Sequence, residues 1–216
     1  MTAAMHPNPI YRDAPTAQSL AFASERGFGT LTANGEVLPL TAHVPFLLNI
    51  ETGTAALHLM RSNPLARACA APLPARLSVM GPDSYISPDW YEMEHQVPTW
   101  NYVAVQLDGQ LEPLPDDALH GVLDALSDHF EQRLLPKEPW TASKMPADRL
   151  ARLMRMIQPF RFTVEKVEST WKLAQNKPVA AREAAARQVK AYGIGQEAAL
   201  LAAMMLGAQE DAGSAG

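Results

Sequence analysis

Between Phe28 and Leu114 the chain is written as extended runs closed by turn residues or short helices, without the regular strand–helix–strand alternation of a parallel sheet. Phe28–Thr32 reads as a strand, and Asn34-Gly35 after it suits a two-residue hairpin, because both turn positions need positive φ. The return runs from Glu36 to about Leu48, with Pro39 and Pro45 marking it as irregular or at an edge. Thr54–Met60, Arg76–Met80 and Tyr102–Leu107 continue the series, and Asp108-Gly109 reads as a turn into Gln110–Glu112. Phe160–Val167 alternates well enough to add another strand. Strands in this order favour an antiparallel barrel with helical additions over a doubly wound sheet.

Helical signals surround these runs. Ala14–Arg26 precedes Gly27 as a stop. Asn63 is an N-cap with Pro64 at the first helical position, for a helix to about Ala71. Asp116 or Asp117 caps a helix whose Leu119, Val122, Leu123, Leu126 and Phe130 share one stripe. Pro136–Pro146 is a linker, and Ala147–Ile157 a helix turning Leu150, Leu153, Met154 and Ile157 inward. Val179–Ala191 and Gln196–Leu206 are helices broken at Gly193-Ile194-Gly195. Residues 1–13 read as an irregular arm and 207–216 as a frayed end. The class is mainly β with helices (α+β).

Composition narrows function. Hydrophobic residues make up 47% and charged residues 19% of 216, enough apolar material for a sizeable core. A formal net charge of −5 argues against a dedicated DNA-binding surface. The single cysteine, Cys69, allows no intrachain disulfide and reads as a small buried hydrophobe. No apolar run approaches the ~20 residues of a membrane span, and Met1–Asp13 lacks the apolar core of a signal peptide, so a cytoplasmic protein is expected. Dinucleotide, P-loop, zinc-helix and nucleophile-elbow motifs are all missing. Catalysis by side chains alone therefore has little support, and no metal ligand set is expected.

Three segments carry chemistry. Gly81-Pro82-Asp83-Ser84-Tyr85-Ile86-Ser87-Pro88-Asp89-Trp90-Tyr91 and Val97-Pro98-Thr99-Trp100-Asn101-Tyr102 interleave flat rings with hydrogen-bonding side chains. Such rings suit a flat polar ligand and equally a subunit interface. In His58-Leu59-Met60-Arg61-Ser62-Asn63-Pro64 a strand ends in an arginine fork at a helix start, where a phosphate would be well held. Spacing alone favours a plain helix cap beside a surface arginine. Trp171-Lys172-Leu173-Ala174-Gln175-Asn176-Lys177-Pro178 combines a ring, two cations and two amides, and reads either as a ligand-closing segment or as a solvated loop. His43, among apolar residues, reads as a satisfied core histidine.

These motifs, in this order, resemble the PaiB family of FMN-binding negative transcriptional regulators, over roughly residues 5–190. The elements are His58-x-x-Arg61-x-Asn63-Pro64, Gly81-Pro82-x-x-Tyr85-Ile86-Ser87-Pro88-x-Trp90-Tyr91, Val97 to Tyr102, and Trp171-Lys172-Leu173-x-Gln175-Asn176-Lys177-Pro178. The resemblance implies a split β-barrel of the flavin-reductase and pyridoxamine-oxidase type over 1–178, with a helical insertion at 116–157 and a C-terminal helical extension at 179–216. It implies a homodimer with FMN in clefts between subunits. Arg61, Ser62 and Asn63 would take the phosphate. Tyr85, Ser87, Trp100, Asn101 and Tyr102 would lie near the ring system or the partner subunit, and Lys172, Gln175 and Asn176 would close the site. The chain departs from the family at Met5-His6-Pro7-Asn8-Pro9, at Ala174 where a serine is usual, at Lys177 where an arginine is common, and in continuing from Gly193 to Gly216.

Two functional classes follow from the resemblance. One is a flavin-binding regulator, with no basic recognition helix to contact DNA directly. The other is a flavin oxidoreductase working from a nicotinamide donor, for which His43, His58 and Tyr85 are the general-base candidates and no catalytic residue is assigned. A third reading puts haem in the barrel, with His43, His58 or His95 as axial ligands.

Overall fold

The computed structural model describes residues 5–208. They fold into two compact units. One comprises Ala17–Val79 and Gln106–Val167; the other comprises the chain up to Thr16, Met80–Val105, and the chain from Glu168.

The first unit holds the larger part of a six-stranded barrel. Its strands are β1 (Phe28–Ala33), β2 (Leu40–Asn49), β3 (Thr54–Met60), β4 (Leu73–Ile86), β5 (Thr99–Pro113) and β6 (Ile157–Lys172). They close in the order β1-β2-β3-β6-β5-β4. β1 pairs antiparallel with β2 and β4, and β3 pairs antiparallel with β2 and β6. Alternation drives the closure: β1 buries every second residue, as do β2 and β3 along most of their length. The fully buried set includes Leu31, Phe46, Leu57, Leu77, Leu107, Leu111, Phe160 and Phe162. Each such side chain contributes about 1.5–3 kcal/mol of transfer free energy.

Two dipeptides with turn chemistry make no two-residue turn. Ala33 pairs directly with Leu40, so the chain loops through 34–39 instead of reversing at Asn34-Gly35. Pro39 lacks the N–H that would extend the ladder toward the turn, and Val37 and Leu38 stand 91% and 73% exposed. Asp108-Gly109 lies inside β5, which runs unbroken to Pro113. Asp108 instead accepts a bidentate bond from Arg76 on β4, Nε to Oδ1 at 2.5 Å and Nη2 to Oδ2 at 2.7 Å. At Gly109 the backbone of β6 comes so near that an added Cβ would lie 1.9 Å from the Thr163 carbonyl oxygen.

Helices α1 (Thr16–Arg26), α2 (Pro64–Ala68), α3 (Leu119–Glu131) and α4 (Ala147–Met154) complete this unit, apart from Thr16 itself. α3 buries Leu119, Val122 and Leu126, as its stripe predicts. It starts without a side-chain cap, because Asp116 and Asp117 lie in a preceding turn, Asp116–Ala118, and Ala118 stands at the cap position. α4 ends before Ile157, the first residue of β6, and buries no residue; Leu153 is 44% exposed. His43 points outward, with its Nδ1 3.1 Å from the Thr30 hydroxyl, so it is not a core histidine.

The second unit contains Met80–Ile86 of β4, Thr99–Val105 of β5 and Glu168–Lys172 of β6. The aromatic segment begins as strand, Gly81–Ile86, and then turns through Pro88–Tyr91. α5 (Val179–Tyr192) and α6 (Ala198–Gly207) pack together; Ala181, Ala184, Ala185 and Val189 are buried on the first, and Leu201, Ala202 and Met205 on the second. The break between them is itself paired. Asp83 N–H donates to Gln196 O at 3.0 Å and Tyr85 N–H to Ile194 O at 2.9 Å, along β4. The expected fraying from residue 209 onward lies outside the described residues.

Candidate functional site

The expected site residues fall in both units. Arg61, Ser62 and Asn63 belong to the barrel unit, where β3 gives way to α2. Asn63 is a working N-cap: its Oδ1 accepts from Leu65 N–H at 2.8 Å, with Pro64 at the first helical position. Its amide oxygen is therefore already engaged in the turn. The Arg61 N–H donates to Met156 O at 2.9 Å, which fixes the backbone at the end of β3. Its Nη2 donates to Asp116 Oδ1 at 2.7 Å, with side-chain exposures of 39% and 69%.

Among the described residues the rest of the Arg61 fork has no partner, and Ser62 is exposed. A guanidinium open on one side and a free hydroxyl fit the phosphate of FMN in chemistry and access. Three residues upstream His58 is half-buried; its Nδ1 is buried without a partner, and burial lowers its pKa.

The other eight expected residues lie in the second unit. Tyr85 and Trp100 meet edge to face, centroids 6.3 Å apart at 75°, and Trp100 is 46% exposed. Ser87 and Tyr102 are half-buried. Asn101 is fully buried; its Nδ2 donates to Met205 Sδ at 3.6 Å and its Oδ1 has no partner.

The late segment is less uniform than its composition suggests. Trp171 and Lys172 end β6, and the chain turns at Ala174 with φ of 61°. Gln175 closes that turn on itself. Its Oε1 accepts from Leu173 N–H at 2.8 Å, and its Nε2 donates to Trp171 O at 2.6 Å and Ile10 O at 3.2 Å. Gln175 thus holds backbone together.

Asn101, Lys172 and Asn176 line a pocket of about 160 Å³. Beside them stand Tyr11, Tyr91 and Lys177. The Lys172 ammonium donates to Thr99 Oγ1 and lies 5.9 Å from the Tyr11 ring centroid. The Lys177 ammonium donates to Gln96 Oε1 and lies 5.4 Å from the Tyr91 ring centroid. Burial lowers the pKa of Lys172 and raises that of Tyr11. Tyr91 is pushed up to about 12, first by burial and then by the neighbouring Tyr11, against a hydrogen bond from Asn101.

Tyr11 and Gln96 line this pocket without having been singled out in the sequence, and Lys177 does so without having been named as a site residue. Tyr11 sits in a proline-rich arm with no periodic signal, so nothing marked it as buried. Lys177 lay inside a recognised motif, and its charge was the available signal.

The histidines named for base or axial roles are dispersed. His43 and His58 lie in the barrel unit, while His95 lies in the other with its side chain 94% exposed. Among the described residues no three His, Cys, Asp or Glu side chains are grouped to hold a metal ion, and no helix is long and apolar enough to cross a membrane.

Residues 5–166 match the family described as "Putative FMN-binding domain". The chain is 30% identical over 162 residues to the protease synthase and sporulation protein PAI 2 of Bacillus subtilis, across 72% of this chain and 75% of that protein. In fold it resembles the FAD and heme binding protein of Mycobacterium smegmatis, with a TM-score of 0.54 at 18% identity, covering 75% of this chain and 73% of that one. It also resembles a conserved hypothetical protein of Mycobacterium tuberculosis, with a TM-score of 0.54 at 15% identity, covering 78% and 91%.

Proposed function

Because the chain belongs to the FMN-binding family matched over residues 5–166, we propose that it is a homodimeric flavin-binding regulator that lowers gene expression without contacting DNA itself. The observation that carries this reading is the 30% identity, over three-quarters of its length, to a Bacillus protein named for protease synthesis and sporulation. A net charge of −5 supports an indirect route to gene control. FMN, when bound, supplies electron-exchange chemistry. The chain supplies the anchor: Arg61 donates from the open side of its fork and Ser62 from its hydroxyl, while Asn63 fixes the turn that presents them. The second copy would complete the flavin cleft, in keeping with the 46% exposure of Trp100.

Titration with FMN and riboflavin side by side tests the anchor. A charge-assisted contact is worth about 1.5–3 kcal/mol, so Arg61→Ala weakens FMN roughly 10- to 150-fold and leaves riboflavin unchanged. Equal losses for both flavins would remove Arg61 from the phosphate. Sedimentation of the flavin-loaded protein tests the dimer, and a single-chain mass would end that part of the reading.

A further inference from the structure

The pocket beside Asn101 is built for something smaller than a flavin. At about 160 Å³ it holds roughly five water volumes of ~30 Å³ each, well under the ~300 Å³ where cofactor-sized sites begin. Its lining contains two ammonium groups and no carboxylate. Among the described residues both ammoniums bond only to neutral oxygens, Thr99 Oγ1 and Gln96 Oε1, and neither is paired with a carboxylate. α5 begins two residues after Lys177, and its positive end adds to the same field.

Two further features specify the guest. Tyr11 and Tyr91 hold their phenolic protons more tightly than usual, so both remain O–H donors at neutral pH. Asn101 lines the same pocket, is fully buried, and has an Oδ1 without a donor among the described residues. A buried acceptor of this kind costs about 1–3 kcal/mol unless satisfied, so a guest that brings a hydrogen-bond donor as well as a negative charge is the best match.

We propose that this pocket is a binding site for a small hydroxylated anion, of the hydrogen-phosphate or hydroxycarboxylate class, held by Lys172, Lys177, Tyr11 and Tyr91 with its O–H on Asn101. Its lining residues all belong to the second unit, whereas Arg61 belongs to the first, and on this proposal the anion is a second, independent input. That independence rests on the flavin reading; anion binding itself does not.

Calorimetric titration with inorganic phosphate and with malate, on flavin-free and on FMN-loaded protein, tests it. At least one probe binds once per chain, with the same affinity in both forms. Lys177→Gln and Lys172→Gln each weaken that binding at least tenfold, Lys177→Arg largely restores it, and far-ultraviolet circular dichroism stays unchanged. No binding of either probe to folded parent protein overturns the proposal, and so does binding indifferent to both lysine variants. Loss of phosphate binding on FMN loading, with Lys177→Gln weakening FMN but not riboflavin, also overturns it by seating the flavin's own phosphate here. Failure of FMN to bind at all would sink the flavin reading alone, because the flavin-free arm then decides the anion site.

Discussion

Glycines 109 and 121 make a matched pair, since the same Gly→Ala change should move stability in opposite directions. At Gly109 on β5 a new Cβ would lie 1.9 Å from the Thr163 carbonyl oxygen and 2.9 Å from its carbonyl carbon. Both are backbone atoms of β6, and the shorter distance is about 1.5 Å inside ordinary contact. No rotamer change relieves that, so one strand of a closed barrel must shift. Overpacking of this kind costs about 3 kcal/mol, the upper end of the usual range. At Gly121 on α3 nothing lies within 4 Å of the added methyl. The helix then gains about 0.8–1 kcal/mol of propensity. At roughly 2–4 °C per kcal/mol for a chain of this size, Gly109→Ala should melt about 6–12 °C lower and Gly121→Ala about 2–4 °C higher than the parent. Urea unfolding followed by tryptophan fluorescence, with linear extrapolation, gives the free energies directly. If Gly109→Ala unfolds within about 0.5 kcal/mol of the parent, the close β5–β6 approach is wrong.

Three other outcomes are expected. Asp116→Asn releases the Arg61 fork, so FMN binds several-fold tighter while stability changes by less than about 1 kcal/mol, both partners being well exposed; weaker FMN binding in this variant would contradict the anchor. The hydrogen bond from Arg76 holds the Asp108 carboxyl below its usual range, so its stabilisation is complete above the unfolded value near ~3.9 and disappears as pH falls through the folded value. Parent and Asp108→Asn should accordingly differ in unfolding midpoint at pH 7 and converge toward pH 3, and a constant gap would refute the pairing. Burial and Glu112 push the Cys69 thiol up to about 11, and its Sγ donates to Leu111 O at 3.3 Å, so a thiol reagent at pH 8 should label it only after denaturant is added.

Much of the barrel was legible because its strands advertise themselves by alternation and its α2 start by Asn63-Pro64. The errors share a cause. Asn34-Gly35 and Asp108-Gly109 both carry hairpin chemistry, yet turn propensity is local whereas ladder register is set across the sheet. Gly109 is needed for the approach of β6, fifty-odd residues away, and Asp108 for Arg76 on β4. Asp116, with the chemistry of a helix cap, is taken by Arg61. The candidate site divides along similar lines. Lys172 and Asn176 came from a motif and do face a pocket, whereas Gln175 from the same motif holds the loop together. Tyr11 escaped notice because a lone ring in a proline-rich arm has no periodicity to betray its burial.

The amide of Gln175 reaches across 165 positions to the carbonyl of Ile10, and Tyr11 beside it walls the same hollow as Lys177. A ribosome must therefore deliver the chain as far as Lys177 before that hollow exists. A chain stopped short of residue 177 never brings its two walls together, and no such fragment should inherit its ligand.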